Sequence, residues 1–291
     1  MVMESAIISL VSDRVLNLTA GAFSERWNLI AESLGKSADR VSVPWGQAID
    51  PDLVQRALER ERYDAVTLVH NETSTGVIQP LEEITRVVRE HSDALLLVDA
   101  VSSLGGARIE TDEWDVDLLL TGSQKALALP PGLAFFCLSE RAVERTYEIQ
   151  HRGYYTDLKR YLEKHRAGGT ITTPGLPQIF ALDRQLDAIL QEGVENRWRR
   201  HLELQRMTSK WAMGRGFQYA SAETSHSPTV SCLRPPPNIE APGLVKRLAL
   251  GRFTVGGGYG NWRQDTFRIG HMGEVQVEDL AQLLGAIDEL I

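Results

Sequence analysis

The sequence predicts an α/β fold: a mainly parallel sheet sandwiched between helices, followed by a smaller C-terminal α+β domain. Three observations predict it. The runs "DAVTLVH" (64–70), "ALLLVDAV" (94–101) and "VDLLLTGS" (116–123) are apolar almost throughout, the pattern of strands buried on both faces. Helical segments alternate with them, as the crossovers of a parallel sheet require. A long helical run from Gly193, then a strand and a helix at the C-terminus, make a second unit. The expected domains are 1–192 and 193–291.

Taken in order, "SAIISLV" (5–11) closes a helix and "DRVLNLT" (13–19) is a strand. "SERWNLIAESLG" (24–35) alternates at helical spacing and stops at Gly35, a C-cap residue. "DRVSVPW" (39–45) is a short strand, and Pro44 places it at an edge or an end. "DPDLVQRALERERY" (50–63) opens with an Asp cap and a Pro in its first turn, so it is a helix. "PLEEITRVVREHS" (80–92) is another helix, and "LAFFCLS" (133–139) another apolar strand. The helix "GVENRWRRHLELQRMTSKWAMGRG" (193–216) carries an apolar stripe, with its Trp and Arg residues on a solvated face. "LRPPPNIEAP" (233–242) is a stiff loop. The strand "TFRIGHMG" (266–273) and the helix "QVEDLAQLLGAIDELI" (276–291) complete the chain.

Composition narrows the function. The chain has 291 residues and a formal charge of −8, without the basic excess of a general nucleic-acid binder. No stretch approaches the length of a membrane-spanning helix. "MVMESAIISLVSDRV" lacks the basic start and apolar middle of a signal peptide. Cys137 and Cys232 form no metal or redox spacing and read as buried, reduced thiols of a cytoplasmic protein. No ligand-spaced metal cluster is present.

Three polar clusters directly follow apolar strands: "HNETSTG" (70–76), "DAVSS" (99–103) and "TGSQK" (121–125). Ligands of a doubly wound sheet bind at such strand ends. A ligand meeting all three finds Lys125, an amine made nucleophilic by partial desolvation. It finds Asp99, a carboxylate, and the hydroxyl and amide groups of Ser123, Gln124, Thr73 and Thr75. An amine for a Schiff base, a carboxylate for a pyridine nitrogen and hydroxyls for a phosphate suit pyridoxal phosphate.

"LLLVDAVSSLGG", followed by "DEWDVDLLLTGSQKALALPPGLAF", resembles the core of the class V aminotransferases, fold-type-I pyridoxal-phosphate enzymes. The branch it is most similar to holds the alanine–glyoxylate and serine–glyoxylate (serine–pyruvate) aminotransferases. The likeness continues through "GAFSERW", "HNETSTGVIQPL" and "FRIGHMG". It implies a Schiff base at Lys125, which also shuttles a proton, and pairing of Asp99 with the pyridine nitrogen. It implies Val101 beneath the cofactor ring and Phe23 over it. Thr73 would lie near the ring hydroxyl or phosphate, and Gln124 on the phosphate. Arg268 would hold the substrate α-carboxylate with its planar fork. Thr173, in "TTPGLPQ", would reach the phosphate of a neighbouring subunit, which implies a homodimer. The substrates implied are a small amino acid and a 2-oxo acid.

The likeness also implies features this sequence does not carry. Relatives have a glycine-and-hydroxyl turn ahead of the equivalent of Met3–Glu4, which cradles the phosphate, and an arm before it. Thr170 stands near where relatives can place a tyrosine. Without that turn, the alternative reading is an impaired homologue acting as an interaction or subunit protein. A lyase or desulfurase of the same fold is a further alternative, although neither cysteine lies on a loop. His70 reads as a packing or hydrogen-bonding group beside the site, and His271 has no ligand-spaced partner. "VGGGYGNW" (255–262) reads as a mobile loop near the substrate mouth.

Overall fold

The computed structural model describes residues 1–291. Its first sheet has six strands in the order β2-β1-β3-β6-β7-β8. These are β1 (Arg14–Thr19), β2 (Ser37–Ser42), β3 (Ala65–Val69), β6 (Leu95–Asp99), β7 (Leu118–Gly122) and β8 (Ala134–Leu138). All neighbours pair parallel except β7 and β8. Between β3 and β6 lies a small hairpin, β4 (Asn71–Glu72) and β5 (Val77–Ile78), built from the cluster that follows β3.

Strand alternation explains why β3, β6 and β7 are apolar almost throughout. Leu16, Leu18, Val66, Leu68, Leu96 and Val98 point to one face, where they meet α3 (Pro51–Leu58) and α4 (Leu81–His91). Val15, Ala65, Val69, Leu95, Leu97, Leu118 and Leu120 point to the other, against α1 (Val2–Leu10) and α2 (Ala22–Ser33). Both faces are covered, so neither register admits a polar side chain without cost. Helix ends follow local chemistry. Asp50 caps α3 by accepting from the Asp52 amide at 3.0 Å, and α2 gives way to Gly35 in the left-handed region at φ 71°. β2 is an edge strand, and it ends before Pro44.

The second sheet is antiparallel, β11-β12-β10-β9. It comprises β9 (Gln218–Tyr219), β10 (Val230–Arg234), β11 (Gly256–Gly257) and β12 (Phe267–Gly270). α8 (Val194–Gly214), α9 (Ala241–Leu250) and α10 (Val277–Asp288) pack on it through a separate core containing Leu204, Leu244, Phe267 and Leu284. In chain order, α5 (Glu140–Glu148), α6 (Leu158–Arg166) and α7 (Leu176–Glu192) come between the two sheets, and the sequence pattern alone makes no assignment for them.

Three expectations change. "LAFFCLS" forms β8, but it is antiparallel and half-exposed, because nothing covers one face of this edge strand. Cys137 on it is therefore exposed, whereas Cys232 is buried. The arginines of "NRWRRHLELQR" are not all solvated: Arg197 is 1% exposed. "VGGGYGNW" is pinned at both ends. β11 pairs with β12, and Trp262 packs edge-on against Trp45 at 5.5 Å.

Candidate active site

Strand order reverses between β1 and β3: the chain runs outward to β2, then returns on the other side of β1. Such a switch point opens a crevice at the strands' carboxyl ends. Four connections meet there. β1 leads into α2, which carries Phe23 and Arg26. β3 leads into the β4–β5 hairpin, β6 into Asp99–Ser103, and β7 into the turn bearing Lys125. Backbone bonds tie these ends together, with the His70 amide donating to the Asp99 carbonyl at 2.9 Å and the Ala100 amide to the Leu120 carbonyl at 2.8 Å.

The result is a cleft of about 280 Å³ lined by, among others, Phe23, Arg26, Asn71, Thr73, Asp99, Val101, Ser102, Gln124 and Lys125, with Met1 to Met3 at one wall. Six of the residues expected at the site therefore share one cavity. Lys125 is half-buried, and its amine has no hydrogen-bond or ion-pair partner. Burial and then the nearby Arg268 lower its pKa, against an opposing pull from Asp99. Asp99 is 6% exposed. Burial pushes its carboxyl up to about 6, with Glu72 adding to the rise, while the Val101 amide, Arg26 and Lys125 oppose it. The Val101 amide donates to Asp99 Oδ1 at 2.8 Å and so aims the carboxyl. The Thr73 hydroxyl pairs with Ser102 Oγ at 2.6 Å.

Arg268 stands at the rim on β12. Its Nε donates to the Gly257 carbonyl at 2.9 Å and its Nη1 to the Thr73 carbonyl at 3.1 Å, leaving Nη2 free. An aromatic ladder runs beside it. Arg268 lies 5.6 Å from the Tyr259 ring, Tyr259 lies 5.4 Å from Phe23, and Arg26 lies 5.0 Å over Phe23. Tyr259 belongs to "VGGGYGNW", so that segment backs the Phe23 ring without lining the cleft.

Ser123 lies elsewhere, and Thr173, expected at a neighbouring subunit's phosphate, lies outside this cleft. Ser123 does not line the cleft. It is buried beneath the lysine turn, and its hydroxyl donates to the Pro130 carbonyl at 2.8 Å and accepts from the Leu133 amide at 3.3 Å. Its work is to hold the loop. Thr173 is exposed in the segment before α7, away from the cleft. His70 sits behind the site, bonded to Ser103 Oγ at 3.0 Å and pushed down to about 4 by burial. His271 pairs with Ser231 Oγ at 2.8 Å in the second unit. Neither cysteine lines the cleft.

Other groups carry no motif of their own. Arg26 lies three residues beyond Phe23 on α2 and enters the cleft by helical periodicity. Asn71 is 1% exposed, and both polar atoms of its amide lack partners. Arg197 reaches from α8 to the lysine turn and donates to the Ala126 carbonyl at 2.8 Å. Its signal would have been charge clustering with Glu192, which helix periodicity alone does not reveal.

The residues present fit pyridoxal phosphate. An unpartnered amine, a buried carboxyl and an unsatisfied buried amide face one cleft, between the side chains of Val101 and Phe23. A protonated ring nitrogen offsets the cost of ionising Asp99, and a polar ligand atom satisfies Asn71.

A model of the class V aminotransferase family matches residues 12–229. The chain is 35% identical to the small subunit of a soluble hydrogenase from a Synechococcus strain, over 99% of this chain and 77% of that one. It is 33% identical to serine–glyoxylate aminotransferase of Arabidopsis thaliana, over 99% of this chain and 74% of that one. The crystal structure of an alanine–glyoxylate aminotransferase from Nostoc sp. superposes with a TM-score of 0.93 at 33% identity, covering 99% of this chain and 78% of that one. On this fold, this cleft and these matches, the chain belongs to the class V aminotransferases, pyridoxal-phosphate-dependent transaminases of fold type I.

Proposed function

We propose that the chain moves an amino group from a small amino acid, alanine or serine, to a 2-oxo acid, glyoxylate or pyruvate, by a ping-pong cycle. The observation that carries this reading is the pairing of an unpartnered Lys125 amine with a buried Asp99 in one cleft, with Arg268 at its rim. The names of the glyoxylate aminotransferases it resembles supply the substrate class.

Bound pyridoxal phosphate supplies an electron sink for the pair left when a substrate loses its Cα proton. The chain does the rest. Lys125 Nζ, depressed in basicity by burial and Arg268, takes the Cα proton and releases it again. Asp99 presents its carboxylate to the ring nitrogen. Asn71 and Thr73 take the polar edge of the ring, and Gln124 takes the phosphate. Val101 and Phe23 close the two faces and exclude water. Arg268 already spends Nε and one Nη1 proton on backbone carbonyls. Those bonds fix the plane of its fork, so the remaining N–H groups meet an α-carboxylate with little entropy left to lose.

The same reading divides the chain at 192/193, between α7 and α8, into a cofactor domain and a domain carrying Arg268. It makes the enzyme a cytoplasmic homodimer, in which Thr173 serves the partner's phosphate. An apolar stripe on α7 supports the dimer: Leu176, Phe180 and Leu190 are 52%, 70% and 71% exposed.

The test is the visible absorbance of the purified protein with added pyridoxal phosphate, beside Lys125→Ala, followed by half-reactions with single substrates. A Lys125-dependent band that alanine or serine bleaches, and glyoxylate or pyruvate restores, supports the reading. A protein with no such band overturns it. A second reading, a subunit without transaminase activity, is favoured by the hydrogenase-subunit relative. It predicts that the band is absent or that no amino acid bleaches it.

A further inference from the structure

Glu72 is fully buried, with 0% of its surface exposed, and no cation lies within ion-pair distance. A buried carboxylate without a counter-ion is costly unless donors surround it. Here every partner is a donor. The amides of Phe23 (3.2 Å), Ser24 (2.9 Å) and Ser74 (3.1 Å) point at it, as do the hydroxyls of Ser24 (3.0 Å) and Ser74 (2.5 Å). Phe23 and Ser24 lie in the first turn of α2, whose amides have no partner within the helix. Gly21, the cap residue of α2, has no side chain to offer. A Cβ there would stand 2.6 Å from Glu72 Cγ, so the glycine is what admits the carboxylate. Glu72 is thus an N-cap for α2 delivered from the β4–β5 hairpin. It gains from the positive end of the helix as well as from the hydrogen bonds.

The cap joins the two sides of the cleft. One of its bonds runs to the amide of Phe23, whose ring forms the aromatic wall. The next residue, Thr73, lines the cleft, and its carbonyl accepts from Arg268 at 3.1 Å. Glu72 itself does not line the cleft. We propose that Glu72 is a positioning residue, setting the Phe23 ring against the cofactor and, through the Thr73 backbone, the Arg268 fork against the substrate carboxylate. This rests on the reading of the cleft as the pyridoxal-phosphate site.

The discriminating variant is Glu72→Gln, which keeps the shape but turns an NH₂ toward backbone amides that can only donate, and removes the charge. Pyridoxal phosphate is titrated by the Lys125-dependent absorbance, KM and kcat are measured with the amino donor, and amide exchange is followed at Phe23 and Ser24. Hydrogen bonds to a charged group set the scale, so cofactor Kd should rise about ten- to a hundredfold. Donor KM should rise more than kcat falls, exchange at both amides should quicken, and Glu72→Asp should restore part of each. On a Phe23→Ala background, Glu72→Gln should change cofactor Kd by less than about twofold, because the wall it positions is gone. Donor KM should still rise.

If Glu72→Gln proves too unstable, Ser74→Ala removes one donor and should shift the same readings in the same direction by less. Unchanged cofactor Kd and donor KM with only a lower melting temperature would overturn the proposal. So would effects of Glu72→Gln and Phe23→Ala that simply multiply. A wild-type protein with no Lys125-dependent band overturns the cofactor reading and this role with it. Unaltered exchange at Phe23 and Ser24 in Glu72→Gln overturns the cap alone.

Discussion

Lys125 and Arg197 are two cations at one turn, the first carried by it and the second reaching it from α8, and they are built for opposite ends. Lys125 projects from it with no partner. Arg197 is 1% exposed, and both of its terminal nitrogens are engaged. It bonds to the Ala126 carbonyl at 2.8 Å, to Glu192 at 2.7 Å and to Glu274 at 2.9 Å. Beside it, Arg200 grips Glu192 at 2.7 Å and the carbonyls of Val275 and Gly273 at 2.6 and 3.0 Å. Burial without a partner makes a reactive group, because the neutral amine is favoured. Burial with partners makes a structural one, because the charge is held by carboxylates and a carbonyl, and removing either side leaves the other unpaired.

The largest expected effect breaks the first half of that contrast. Lys125→Ala should abolish the cofactor absorbance band and lower transamination by more than about a thousandfold, since nucleophile and proton carrier go together. It should leave the melting temperature unchanged or raised, because it deletes a partly desolvated amine that bonds to nothing. A large loss of stability would show that Lys125 is structural after all, and calorimetry decides it.

Arg197→Met should do the reverse. Its acids are part-exposed, at 25% and 53%, and Glu192 keeps Arg200, so the cost is mainly the orphaned Ala126 carbonyl and the lost packing, about 1–3 kcal/mol, a fall in melting temperature of roughly several degrees for a chain of this size. Activity per folded molecule should fall less than for Lys125→Ala, through loosening of the turn at Ala126. If Arg197→Met melts with the wild type, the network is not holding the turn.

The two cations also mark how far the sequence could be read. Lys125 was legible because it follows an apolar strand, and the strand's burial fixes where its end must lie. Asp99 and Thr73 were legible for the same reason, one closing β6 and the other a short step beyond β3, whereas Phe23 was legible only through the family resemblance of "GAFSERW". Arg197 was not. Helical periodicity assigned it to a solvated face, since its acidic partners lie 5 and 77 residues away and only tertiary packing brings Glu274 to it. β8 failed similarly. "AFFCL" is as apolar as "LLLTG", but apolarity says nothing about whether a neighbour covers the face. Ser123 had the right place in the motif, yet its hydroxyl is taken by the loop it closes.

Asp99 sharpens the contrast from the acid side, being buried like Arg197 and unpaired like Lys125. Its carboxyl is raised from 3.8 to about 6, chiefly by burial. A raised acid binds its proton more tightly in the folded state. Its contribution to stability is therefore present below about pH 4 and is lost as pH rises through 6. That loss amounts to about 3 kcal/mol in protein without added cofactor. The buried imidazoles act oppositely. Burial pushes His70 and His201 from 6.5 down to about 4 and His271 to about 3, so they gain stability as pH rises from those values to 6.5. Net curves cannot separate these, but Asp99→Asn can. Its stability relative to the wild type should increase from pH 4 to pH 7, whereas its affinity for pyridoxal phosphate should fall. Melting curves that stay parallel across that range would show that Asp99 is not held protonated by its site.

The smallest effect tests the case the contrast leaves out, a cation that is paired but not buried. Arg184 meets Asp187 at 3.7 Å one turn along α7, with the two side chains 84% and 67% exposed. Water already solvates both charges, and salt screens what attraction remains. Arg184→Ala should change stability by no more than about 0.5 kcal/mol, and less still in high salt. If it cost as much as Arg197→Met, pairing alone would set the value of a cation here, and burial would not matter. A null result leaves burial as the variable that separates the three. It makes Arg197 structural because Glu192, Glu274 and the Ala126 carbonyl meet its buried charge, and Lys125 reactive because nothing meets its amine.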